Sequence, residues 1–368
     1  MYIKKISVLS IRFLALSLFI SATCYSQQTL RFADSVKQAF HIPEICYAAV
    51  TTDSVLEIAA TGRHSINLTD TATLDDRFHI GSNTKAMTAF MIAKYVERGK
   101  LKWNTRLFDV FPEWRKASKP IYKNITLQDL LSHRAGIQPF QGFDDPVIPT
   151  FKGSKVEKRK AFGKWVLTLP PTLPDSSSPF VYSNAGYTLA ALMLEKVTGK
   201  TWEQVADDIF NKDLHFNIGF SWPENQTRKD TWGHIFENGH FVPLPSNTDF
   251  SLDYTEPASN INIRMKDYIR YIQMNMAGLN GQDNYLKAAT YSFIHTGFEG
   301  YSLGWHNIHE GTESMSTHAG TATTYYTITH IDRKRLIAYI IFTNAFDDTN
   351  VPQGVRLLMR ELKKNYGK

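Results

Sequence analysis

The stretch Phe78-His79-Ile80-Gly81-Ser82-Asn83-Thr84-Lys85 runs without a break into the apolar segment Ala86 to Val96. The segment is apolar over most of a helical circumference and Gly99 follows it, so it predicts a buried central helix over 84–98 with a stop just beyond. Ser82 and Lys85, three residues apart at the start of that helix, share one face, with roughly 5–6 Å between their Cβ atoms. Serine is a weak nucleophile at its free pKa, and an adjacent base is the least that covalent chemistry requires. An amine one turn away could be that base.

Upstream, a short helix over 30–40 precedes two β-like runs, 46–52 and 55–62, which Asp53-Ser54 joins as a hairpin. Downstream, the pattern changes to helices separated by long loops. The readable ones are Thr126–Ser132, Lys160–Leu169, Ala185–Thr198, Thr201–Ile209 and Met265–Met276. Strand character returns at Tyr301–His309, Thr323–His330 and Arg335–Thr343, and an amphipathic helix fits Val351–Asn365. The expected fold is therefore α+β: a five-stranded antiparallel sheet built from both ends of the chain, flanked by helices, with a mostly helical insertion. The predicted division is 27–102 with 281–368 for the sheet domain and 103–280 for the helical one. A cleft between the two is the natural place for a small-molecule site.

Of the 368 residues, 43% are apolar and 13% aromatic, enough for a sizeable core, so disorder of the chain as a whole is excluded. Lys4, Lys5 and Arg12 stand ahead of Phe13–Ile20, and small residues follow up to Ser26, the pattern of a secretory signal cleaved near Ser26/Gln27. A lipid anchor on Cys24 fits less well, because Ser21-Ala22-Thr23 is a poor lipoprotein cleavage box. Loss of residues 1–26 lowers the formal charge from +6 to +3 and leaves Cys46 as the sole cysteine. An internal disulfide is then impossible, and Cys46 reads as a small buried hydrophobe. No basic run interleaved with aromatics points to nucleic acid; Lys155-Val-Glu-Lys-Arg-Lys160 reads as a solvated face or loop. His306 and His309 fall on opposite faces of a strand, so no metal or other cofactor is expected. The acidic pairs Asp144-Asp145 and Asp207-Asp208 read as solvated.

Ser-x-x-Lys occurs once in the chain, at Ser82 and Lys85. Tyr-x-Asn occurs twice, and Tyr182-Ser-Asn184 is preferred over Tyr122-Lys-Asn124 because it joins a loop rich in proline (Pro170, Pro171, Pro174, Pro179) to an apolar helix. His-x-Gly occurs three times near the C-terminus. His318-Ala-Gly320 is preferred over His295-Thr-Gly297 and His309-Glu-Gly311, since it leads straight into a strand whose edge could hold a substrate. Acyl transfer then has Ser82 as nucleophile, with Lys85 and Tyr182 competing to remove its proton. Phenol and amine titrate close together when free, so they form one coupled unit.

In that order, Ile80–Lys85, Tyr182-Ser-Asn184 and His318-Ala-Gly320 resemble the three motifs of the serine β-lactamase and penicillin-binding-protein superfamily. The branch is that of class C β-lactamases with their D,D-carboxypeptidase and esterase relatives. Tyr95–Leu101, Ile125–His133 with Ala135-Gly136, Glu256-Pro-Ala258 and Tyr301–Trp305 agree with it, and the similarity spans 42–344. The resemblance implies that Tyr182 is the base in acylation and deacylation and that Asn184 donates an amide hydrogen to the substrate's side-chain carbonyl. It also implies an oxyanion hole of two backbone N–H groups, Ser82 and Thr321, the latter following Gly320. At the third motif a histidine stands where typical β-lactamases carry lysine. His318 would be a weak, pH-dependent partner for a substrate carboxylate. The expected protein is therefore a periplasmic or secreted monomeric serine hydrolase acting on a cell-wall peptide, another D-amino-acid peptide or an ester. A dedicated β-lactamase and a non-catalytic penicillin or peptide sensor are the alternatives.

Overall fold

The computed structural model describes residues 27–142, 145–172, 180–223, 230–244, 252, 254–311, 313–321 and 323–367. The predicted signal segment with Cys24, together with Asp144, Pro174 and Pro179, lies outside the described residues. Helix α1 (27–39) leads into strands β1 (Glu44–Thr51), β2 (Val55–Gly62) and β3 (Arg77–His79), then a single 3-10 turn at Gly81–Asn83 and helix α2 (Thr84–Glu97). The middle of the chain carries α3 (Leu107–Val110), α4 (Leu127–Leu131), α5 (Lys155–Val166), α6 (Asn184–Thr198) and α7 (Trp202–Ala206). There follow the short strands β4 (Gly219–Phe220), β5 (His234–Glu237) and β6 (His240–Pro243), then α8 (Glu256–Ser259), β7 (Ile261–Arg264), α9 (Met265–Leu279) and α10 (Ala288–Thr296). The chain returns through β8 (Gly300–Tyr301), β9 (His306–Glu310), β10 (Glu313–Thr321), β11 (Tyr326–Asp332) and β12 (Ile337–Thr343) to α11 (Asn350–Tyr366).

The main sheet is antiparallel throughout, in the order β2-β1-β12-β11-β10-β9-β8. Strands from both ends of the chain meet at its centre, where Ala48 of β1 pairs with Ile340 of β12. Both central strands are buried on both faces, which explains their unbroken apolar sequences. One face, with Ala48, Val50, Ile340 and Phe342, packs on the core around α2; the other, with Tyr47, Ala49, Tyr339 and Ile341, is covered by α1 and α11. Helix α2 is buried from Thr84 to Ala93, so the opening stretch does lead into a central helix.

The α+β class and the antiparallel assembly from both termini hold, but the sheet has seven strands rather than five. The run 301–309 divides into β8 and β9, and β10 is a strand that the sequence conceals. Its inward positions are Ser314, Ser316, His318 and Gly320, which give no apolar alternation. They are buried because hydrogen bonds satisfy them: Ser316 Oγ lies 2.8 Å from His295 Nδ1 and accepts from Arg333 Nη1 at 2.8 Å. His318-Ala-Gly320 therefore closes one strand of a hairpin instead of leading into the next. A second correction concerns one residue of 155–160, a stretch expected to be solvated and otherwise mostly exposed or half-buried. The stretch opens α5, capped by Ser154 Oγ on Glu157 N, and Arg159 within it is wholly buried.

Candidate active site

The turn that carries Ser82 is tied down from three directions. Ile80 N–H donates to Ile261 O at 3.0 Å, Ile261 N–H donates to Thr84 Oγ1 at 3.1 Å, and Thr327 Oγ1 donates to Ile80 O at 2.9 Å. Asn83, at the foot of α2, donates from Nδ2 to Thr327 Oγ1 at 2.8 Å. The short sheet β3-β7-β4 adds the pairing Phe78 to Ile263, so the segment before Ser82 and the segment after α8 are hydrogen-bonded together.

Lys85 is fully buried below Ser82, and its Nζ has three oxygen neighbours: Asn184 Oδ1 at 2.7 Å, Ser82 Oγ at 3.0 Å and Ala258 O at 3.1 Å. Burial drives the amine's pKa well below the ordinary lysine range. A neutral amine has two N–H groups and one lone pair. Two of its neighbours, the carbonyl oxygens, can only accept, so both N–H groups go to them and the lone pair is left facing the Ser82 hydroxyl.

Tyr182 reaches the same point from the loop before α6. Ser183 caps that helix, its Oγ accepting from Gly186 N–H at 3.0 Å, and Asn184 Nδ2 donates to Phe140 O at 2.7 Å. The 133–140 segment fixes the loop's backbone: Val181 N–H donates to His133 O at 2.8 Å and Asn184 N–H to Pro139 O at 2.8 Å. The Tyr182 hydroxyl is in hydrogen-bonding reach of Ser82, and burial raises its pKa, which keeps it a phenol. Its ring centroid is 4.6 Å from Lys85 Nζ.

His133 is a buttress that the sequence did not single out. Its Nδ1 accepts from Ser183 N–H at 3.0 Å and its ring lies 4.3 Å from that of Tyr182, centroid to centroid. Burial drives its pKa well below the usual imidazole value and keeps the ring neutral. It backs Tyr182 without offering a second acid.

His318 sits beside Tyr182, 6.4 Å between ring centroids, but turns inward. Its ring nitrogens are engaged by Ala319 O at 2.7 Å and by the Tyr301 hydroxyl at 3.0 Å, and only 2% of the residue is exposed. Burial lowers its pKa well below the usual imidazole value. The ring expected to meet a substrate carboxylate is held here by Tyr301 and by Ala319 O. Gly320 has a clear steric reason. A Cβ there would lie 2.1 Å from Ile80 O and 2.7 Å from Ser82 N, and one on Gly81 would lie 2.4 Å from Thr321 N. The backbones of β10 and of the turn that carries Ser82 are therefore in direct contact, which brings Ser82 N and Thr321 N to one place. Gly320→Ala is expected to force the two segments apart and lower kcat by roughly a hundredfold or more, the scale of losing an oxyanion donor, with a smaller change in KM; a steady-state assay of the purified variant checks it.

Ser82, Tyr182, Asn184 and Thr321 line a cavity of about 750 Å³. A larger cavity, about 920 Å³, lies between α1 and the β5–β6 hairpin and contains none of the motif residues, so the chemistry places the site in the smaller one. The fold places Ser82 and Tyr182 at the cavity wall with Lys85 buried beneath them. The family model described as Beta-lactamase matches residues 32–363, and the chain belongs to that family. It is 24% identical over 246 residues to Penicillin-binding protein 4 of Amycolatopsis lactamdurans, covering 66% of this chain and 62% of that protein. The chain thus spans about three-fifths of the length of the curated relatives it matches first. Among solved structures, D-amino acid amidase from Ochrobactrum anthropi SV3, complexed with L-phenylalanine amide, superposes with a TM-score of 0.70 at 17% identity, covering 92% of this chain and 99% of that one. A mutant class C beta-lactamase superposes with a TM-score of 0.72 at 16% identity, covering 92% and 98%.

Proposed function

We propose that this chain is an exported serine hydrolase that forms an acyl-enzyme on Ser82 and hydrolyses a small amide or ester. The observation that carries this reading is the coordination of Lys85 Nζ, whose two carbonyl neighbours leave its lone pair for the Ser82 hydroxyl. In acylation, Ser82 Oγ attacks the substrate carbonyl carbon as its proton passes to Lys85. The oxyanion forms against the N–H groups of Ser82 and Thr321. On collapse the carbon–nitrogen or carbon–oxygen bond breaks, and the leaving amine or alcohol takes a proton from Tyr182, which the new ammonium replaces. Water then attacks the acyl-enzyme with the same pair as base, releasing the acid and restoring the Ser82 hydroxyl. Export rests on the charged and apolar pattern of residues 1–26. A dedicated β-lactamase is the weaker reading, because His318 has no ring nitrogen left for the drug's carboxylate.

The test is covalent labelling. The protein is treated with a fluorophosphonate and, separately, with a fluorescent penicillin, and adducts are mapped by mass spectrometry. The expected result is a fluorophosphonate adduct on Ser82 that disappears in Ser82→Ala. Equal labelling of that variant, or an intact Ser82 with both probes, sinks the reading.

A further inference from the structure

Among the described residues, the charged side chains that line the Ser82 cavity are all of one sign. Among the described residues that line it, the charged side chains are Asp347 and Asp348, with no lysine, arginine or histidine beside them. The two aspartates are not equivalent. Asp347 is committed to the fold: Oδ1 accepts from Val351 N–H at 2.8 Å and Oδ2 from Asn350 Nδ2 at 2.7 Å, which starts α11. Asp348 is exposed and makes no hydrogen bond or ion pair with any described residue. Among the described residues of the cavity lining no cation offsets it; burial favours the neutral form of Lys85, and both ring nitrogens of His318 are engaged inside the protein. Phe236, Leu252 and Phe346 give the same cavity an apolar wall.

A pocket with an acyl-transfer centre, an apolar wall and one free carboxylate selects a ligand of matching chemistry. We propose that the substrate is an amide or ester bearing a protonated amino group, received by Asp348, with an apolar side chain against Phe236 and Phe346 and its carbonyl at Ser82. This rests on the hydrolase reading above. It assigns Asp348 as the specificity-determining group and argues against a substrate anchored by a free carboxylate, which would meet like charge.

Protection of Ser82 from fluorophosphonate labelling tests this without requiring turnover. The competitors are phenylalaninamide and glycylphenylalaninamide, which place the amine at two distances, each as the free amine, the N-acetyl form and the N-succinyl form. At one length or both, the free amine is expected to protect at a concentration on the order of tenfold lower than the N-acetyl form, the scale of one charged hydrogen bond, with N-succinyl the weakest. Within Asp348→Asn the amine-to-acetyl ratio should shrink to about twofold or less, the scale of a screened residual charge effect, and Asp348→Lys should make the N-succinyl form the best competitor. Equal protection by amine and acetyl at both lengths, strongest protection by N-succinyl in the parent chain, or an unchanged ratio in Asp348→Asn overturns the proposal while leaving the hydrolase reading intact. Absence of any label on Ser82 in the uncompeted protein overturns both.

Discussion

With Lys85 replaced by methionine, Ser82 is expected to react with a fluorophosphonate on the order of a thousandfold more slowly, the scale of losing a positioned general base. Methionine fills similar space but has no lone pair comparable to an amine and no N–H for Asn184 Oδ1 and Ala258 O, so it removes the base and two hydrogen bonds together. Tyr182→Phe should behave differently. If Tyr182 supplies the leaving group's proton, its loss lowers amide turnover by roughly two orders of magnitude or more, and costs much less with an aryl ester, whose leaving group departs unprotonated. The pH dependence separates the roles. The working amine is the neutral form, and burial puts its pKa well below the ordinary lysine value. The rate therefore rises as pH climbs through that lowered value and is flat from there up to about pH 10, where a free phenol begins to titrate. A rate that climbs through that upper range, or an ester reaction that Tyr182→Phe abolishes and Lys85→Met spares, would assign the base to Tyr182.

What the sequence made legible follows from how local the signals are. Ser82 and Lys85 are one turn apart, and Tyr182-Ser-Asn184 sits at a capped helix start, so both could be read from neighbours in the chain. The rest depended on distant partners. Arg159 stands among lysines and a glutamate and reads as solvated, yet its partners Glu195, Glu203 and Glu256 lie 36, 44 and 97 residues away. His318 occupies the expected motif position, but its orientation is decided by Tyr301, which arrives from β8. Strand β10 is concealed because its buried positions, Ser314, Ser316, His318 and Gly320, carry no apolar side chain. Asp348 belongs to no motif; only the fold brings it to the cavity that holds Ser82.

Arg159→Met should cost about 3–5 kcal/mol of stability, the range for breaking a buried ion pair by removing one partner, read as a lower urea midpoint. Arg159 Nη1 donates to Glu195 Oε1 at 2.7 Å, Nη2 donates to Glu256 Oε2 at 2.6 Å, and Glu203 completes the cluster. Burial opposes the guanidinium charge and the three carboxylates outweigh it, so the charged form prevails. The consequence reaches the active site because Glu256 begins α8, a helix of only four residues. Thr88 Oγ1 donates to Pro257 O at 2.7 Å in the next position, and Ala258 O receives Lys85 Nζ in the one after. Loss of Arg159 leaves Glu256 only its ion pair with the half-exposed Lys155, so the helix that supplies this carbonyl is held less firmly. Water then reaches the amine, and its pKa moves up toward the ordinary lysine value. The sign is definite: less neutral amine at neutral pH, hence a lower rate there, partly recovered at higher pH. Arg159→Lys keeps the charge but loses the fork that spans separate carboxylates, and it should fall between the two. A loss of stability with the acid limb of the pH profile unmoved would make the cluster a structural feature of α5 to α8 and nothing more.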